Sequence, residues 1–183
     1  MSPAVEKHAA ADTARERDLE LEFTRVFHAP RELVFDAWTV PARLSQWFGP
    51  QGCTIPICEV DPRPGGAYRI VFRRPDGTEF PLRGVLREFV RPERLVMTRN
   101  VSEFPEEFHA EVRRLGGVSS KLPVASVLTI TFEDENGATR MRVHSLFPEK
   151  GDRDAHVKSG APDGWSRMFE KLAAVLGARM ETP

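Results

Sequence analysis

At 183 residues the chain suits one domain with a core of its own rather than several. Its 26 Lys and Arg against 27 Asp and Glu leave a formal net charge of −1, which gives no electrostatic basis for nucleic acid or an anionic membrane as partner. No apolar run is long enough to span a bilayer, and the opening "MSPAVEKHAAADTARERDLE" has no apolar stretch of the secretory type, so a cytoplasmic protein is expected.

In chain order, residues 1–19 read as a polar N-terminal arm. "LEFTRVFHA" alternates as a half-buried strand, and Pro30 opens "RELVFDAW", apolar at helical spacing. Pro41 opens a second short helix, "PARLSQWF", which Gly49-Pro50 ends. Six probable strands follow. "CTIPICEV" leads through the turn "DPRPGG" to "AYRIVFRR", which "PDGT" joins to "EFPLRGVLREFV" and then "RLVMTRNV". "ASVLTITFE" and "TRMRVHSLF" form a hairpin about Asn136-Gly137. Between the fifth and sixth strands, "SEFPEEFHAEVRRLGG" spaces Phe104, Phe108, Val112 and Leu115 along one helical face, with Ser102 placed to cap its start and Gly116-Gly117 its end. The C-terminal "SGAPDGWSRMFEKLAAVLGA" carries the stripe Trp165, Met168, Phe169, Leu172 and Leu176, with Glu170 and Lys171 expected to face away. Residues 20–179 form the domain and 180–183 a tail.

A long amphipathic helix needs an apolar surface to cover, and a large antiparallel sheet offers one. A twisted sheet of that size curls around what it covers, leaving a natural pocket beneath the helix. The expected fold is α+β: a curved antiparallel sheet of six to seven strands around a long C-terminal helix, with two short helices after strand one and an extra helix between strands five and six. Cys53 and Cys58 lie at an odd separation, so they are expected as buried free thiols rather than a disulfide.

The stretches "APRELVFDAWTVPARLSQWFGP", "EVDPRPGGAYRI", "RGVLREFVRPERLVMT" and "RDAHVKSGAPDGWSRMFEKLAAVL" resemble, in order and spacing, the START-like (SRPBCC, helix-grip) superfamily. Within it they resemble the group related to the C-terminal domain of the activator of the heat-shock protein 90 ATPase. The last stretch looks most like its polyketide-cyclase-like bacterial members. The resemblance implies an apolar cavity between sheet and C-terminal helix. It does not imply one ligand or reaction, since members include carriers, cyclase-like enzymes and protein-binding modules. Relatives usually have a shorter connection than Val101 to Val124, so the inserted helix either lids the cavity or mends an edge.

Trp47 and Phe48 stand where a helix breaks. They either anchor that helix on the sheet or line the mouth of a cavity. Trp165 leads the C-terminal stripe, and its indole and that of Trp47 are expected to bracket one entrance. Tyr68, Leu86 and Phe169 are further wall candidates. Glu88 shares strand parity with Leu86. It either points inward as a cavity acid or base, or pairs with Arg94 or Arg99 near the strand end, the preferred alternative. Glu88 or Arg99 would orient a polar end of a ligand. His144 shares a parity with Arg140 and Arg142, which suggests the outer face. "GDRDAHVK" alternates Asp152, Asp154 and His156, a metal-like spacing that capping before a helix also produces. No metal or cofactor is assigned, and no nucleophile elbow, phosphate loop, zinc-protease helix or dinucleotide fingerprint occurs.

The leading expectation is a binding domain for a small apolar or aromatic molecule. The alternatives are a co-chaperone-like module with a chaperone as partner, and a cyclase- or dehydratase-like enzyme. A homodimer through the inserted helix is a further candidate.

Overall fold

The computed structural model describes residues 18–122 and 125–180, with side chains up to 177. The arm at 1–19 therefore lies almost wholly outside the described residues, as do 181–183 of the tail. The elements are β1 (Glu20–Phe27), α1 (Arg31–Thr39), α2 (Pro41–Trp47), β2 (Thr54–Val60), β3 (Ala67–Arg73) and β4 (Glu79–Val90). They continue with β5 (Arg94–Arg99), α3 (Glu106–Arg114), β6 (Ser126–Glu135), β7 (Ala138–Leu146), α4 (Lys150–Lys158) and α5 (Ala161–Met180). The strands form one antiparallel seven-stranded sheet in the order β1-β7-β6-β5-β4-β3-β2. It is the expected meander, closed at one edge by the first strand. The β6–β7 hairpin turns on Asn136 and Gly137, both at positive φ, which matches the twist of the flanking strands.

Alternation sends one set of side chains inward. Leu95 and Met97 on β5 meet Ile130 and Leu128 on β6, and the inner row of β7 continues with Met141 and Val143. Helix α5 lays its stripe on this surface. Trp165, Phe169, Leu172 and Leu176 are buried there, with Phe169 edge-on to Phe27 and Trp165 stacked on Phe23. Burial of each such side chain contributes about 1.5–3 kcal/mol, enough to hold the long helix to the sheet. Trp38 and Trp47 from α1 and α2 fill the same core.

The structure departs from the sequence reading at several places, each with a physical reason. In β4, Leu86 pairs with Met97 but Glu88 pairs with Val96, so one extra residue is inserted there. That bulge reverses the alternation: Phe89 turns inward onto Phe35, and Glu88 turns out to solvent rather than into the cavity and pairs with Arg94 at 2.7 Å, the alternative the sequence favoured. Ser102 does not cap α3. Its hydroxyl and N–H go to the Asn100 side chain, and the helix starts after Pro105. The segment containing Asp152 and His156 does not merely cap a following helix but is itself a helix, α4. Lys171 does not face away, because its Nζ donates to the Gly49 carbonyl at 2.9 Å. Cys53 and Cys58 are free as expected but only half-buried. Among the described residues, no helix is long and apolar enough to cross a membrane.

Candidate functional site

Helix α2 ends at Trp47, and the chain turns out through Phe48 into Gly49 at φ +103°. A side chain on Gly49 would also strike the Phe72 ring, so only glycine lets the chain leave here. The break, the inner faces of β3 to β6, the insert carrying α3, and the start of α5 line a half-open cavity of about 700 Å³. Its walls include the aromatic side chains of Phe48, Phe72, Phe80, Phe104, Phe108, Phe147 and Trp165. The α3 stripe, Phe104, Phe108, Val112 and Leu115, faces this space in full, so the insert covers the cavity. Phe104 packs edge-on against both Phe80 and Phe108, which ties the cover to the sheet. A second tie comes from Asp152 on α4, whose Oδ1 accepts the backbone N–H groups of Val118 and Ser119 at 2.7 and 2.9 Å.

The sequence-derived candidates separate into three groups. Phe48, Arg99 and Trp165 line the cavity. Trp47, Tyr68, Leu86 and Phe169 do not; they are core. Trp47 is 0% exposed, and its indole N–H donates to the Ala37 carbonyl at 2.9 Å, so Trp47 and Trp165 do not bracket an entrance. Tyr68 lies over Gly84 and donates its hydroxyl to the Thr98 carbonyl at 2.7 Å. Leu86 and Phe169 are consumed by packing. Glu88 is on the outer surface, for the bulge described above. His144 is outward too, with Glu20 3.4 Å away.

Arg99 is the last residue of β5 and has the parity of Leu95 and Met97, so the sheet aims its guanidinium at the core face. It keeps some accessible surface because the cavity lies in front of it. No ion pair forms to it among the described residues. Burial lowers its pKa from the ordinary arginine value, the neighbouring Tyr68 acting in the other direction, and the group remains a cation.

Reading the residues alone did not connect Arg99 with His156. On α4, Asp152, Ala155, His156 and Ser159 recur at helical spacing, and all four line the cavity. That spacing was the available signal, although alternate-residue counting grouped Asp152 and His156 with Asp154. Asp154 points away and pairs with Lys150 at 2.8 Å. His156 packs on Phe147, and its Nε2 is buried with no hydrogen-bond partner. Burial, and then the charge of Arg99, push its pKa down to about 3. The imidazole is therefore neutral in the folded protein at neutral pH. Ser119, Ser120 and Ser126 add hydroxyls to this part of the cavity lining.

A curved antiparallel sheet gripping a C-terminal helix, with a cavity between them, defines a START-like helix-grip domain. Within that class the chain belongs to the family described as Activator of Hsp90 ATPase homolog 1-like protein, whose model matches residues 28–177. No curated protein sequence matches the chain. Among solved structures, it is similar to a protein of Nitrosomonas europaea at 28% identity, covering 89% of this chain and 97% of that one with a TM-score of 0.73. A protein of Rhodobacter sphaeroides has the same fold at 24% identity, 88% and 93% coverage, and a TM-score of 0.72. A Staphylococcus aureus protein described as of unknown function also shares the fold, at 22% identity, 89% and 96% coverage, and a TM-score of 0.65.

Proposed function

We propose that this domain binds a small hydrophobic or aromatic molecule in the cavity between sheet and C-terminal helix. The observation that carries this reading is the cavity itself: about 700 Å³, lined by seven phenylalanine and tryptophan side chains and covered by the inserted helix. Ordinary cores are packed to near-crystalline density, with few voids larger than a water molecule. Keeping a chamber of this size open forfeits packing energy at each wall, a cost that a bound apolar molecule would offset. The α3 insert supports the same reading, because its apolar stripe faces the chamber rather than completing a solid core.

The test is a titration with N-phenyl-1-naphthylamine, a neutral dye that fluoresces strongly only in apolar surroundings. The expected result is a saturable rise in emission at one dye per chain, with energy transfer from tryptophan. Emission no greater than that given by a compactly packed protein of the same size would remove the basis for the binding reading.

A further inference from the structure

The polar end of the cavity contains an arginine and a histidine that nothing described so far explains. Arg99 places a cation on the core face of a central strand without a counter-ion among the described residues. An unpaired buried charge is costly, and folded chains normally pair it or remove it. His156 brings a buried ring nitrogen, Nε2, with no hydrogen-bond partner, and both residues line the same cavity. They come from different elements, β5 and α4, and converge on one space. Of the carboxylates on the cavity wall, Asp152 has Oδ1 committed to two backbone N–H groups and Oδ2 buried without a hydrogen-bond partner. A carboxylate on the same wall opposes further negative charge, which favours a monoanionic head over a dianionic one.

We infer that the ligand is an apolar carboxylic acid bound as its anion, with the carboxylate between the Arg99 guanidinium and His156 Nε2 and the apolar body against Phe48, Phe108 and Trp165. This rests on the reading of the cavity as a ligand site. The planar fork of arginine matches two carboxylate oxygens, and a charge-assisted hydrogen bond is about twice as strong as a neutral one. A neutral imidazole with its proton on Nε2 adds a donor without adding charge. Ser126, directly across from Arg99 in the sheet, offers a further hydroxyl at the same end.

The experiment is displacement of N-phenyl-1-naphthylamine at pH 7.5 by 2-naphthoate, 2-naphthamide and 2-naphthyl phosphate, which share a ring system and differ in the head. For the native sequence, 2-naphthoate is expected to bind at least about tenfold more tightly than 2-naphthamide, the order expected of one charge-assisted pair. Arg99→Met should bring the two within about twofold of each other, and His156→Phe should narrow the ratio by a smaller factor. Equal displacement by naphthoate and naphthamide, with the dye bound normally, overturns the acid assignment and leaves the cavity reading intact. Tighter displacement by the phosphate overturns the choice of a carboxylate. Failure of the dye to bind, together with no calorimetric signal from any of the three, overturns the cavity reading itself. The comparison on the unaltered protein decides the matter even if Arg99→Met does not fold.

Discussion

Arg99→Met should make the protein more stable. The guanidinium stands among Tyr68, Leu128 and the aromatic walls with no acid paired to it among the described residues, so the native fold bears part of its desolvation cost. Methionine is unbranched, reaches the same space and needs no partner. Replacing buried ionic groups with apolar residues of similar size has stabilised other folds by about 1–4 kcal/mol. Arg99 keeps some contact with the cavity, so the lower part of that range applies, about 1–2 kcal/mol. For a domain of this size that is a rise of roughly 3–6 °C in the thermal midpoint. Residues kept at a cost to stability are the ones expected at functional sites. Circular dichroism melts of the two chains without added ligand would show the gain. A loss of more than about 1 kcal/mol would mean that the guanidinium supports the fold, and its role as a ligand anchor would lose its energetic argument.

The second large effect is on pH. His156 titrates near 3 in the folded protein, below its ordinary value of 6.5, because burial and then the Arg99 charge oppose protonation. As pH falls through 6.5 the unfolded chain takes up a proton that the folded chain refuses. The stability contributed by neutral His156 is therefore complete above about pH 6.5 and is lost progressively down to about pH 3. At pH 5 the loss is about 2 kcal/mol, one and a half pH units at about 1.4 kcal/mol each. Urea melts at pH 7.5 and pH 5.0 on the native sequence and on His156→Gln isolate this component, because every other titrating group is common to both chains. The native chain should lose about 2 kcal/mol more than the variant between the two pH values. Equal losses would place His156 in contact with water and remove it from the polar end of the cavity.

Much of the architecture was legible in the residues. The alternation of "AYRIVFRR" and "ASVLTITFE", the turn residues between strands and the stripe from Trp165 to Leu176 each specify an element through its periodicity. Phe48 and Trp165 could be marked as wall residues because one follows a helix break and the other begins the stripe that covers the sheet. What could not be read was any feature set by register across strands. The bulge at Arg87 changes which way Glu88 points, and nothing between Leu86 and Phe89 announces it, because neither glycine nor proline marks the place. Helix α4 was hidden by composition: Gly151 and its charged residues mask a narrow inner face in which only Ala155 is apolar. Arg99 was identified by its strand and His156 was not identified as its neighbour, because their proximity depends on how α4 crosses the end of the sheet. Trp47 and Phe48 make the same point at short range. Adjacent in sequence, they separate into core and cavity wall because the helix ends between them.

The central claim, that a small molecule occupies the space between sheet and C-terminal helix, is tested most directly by the indole N–H signals of the three tryptophans. Trp38 and Trp47 are engaged in the core, donating to Met141 Sδ at 3.1 Å and to the Ala37 carbonyl, whereas Trp165 is on the cavity wall. Titration of ¹⁵N-labelled protein with 2-naphthoate should move the Trp165 signal strongly and the Trp47 signal little, with backbone shifts concentrated in residues 48–53, 99–108 and 152–171. A titration in which 2-naphthoate moved none of the three indoles, or moved only residues on the outer face of the sheet, would contradict it.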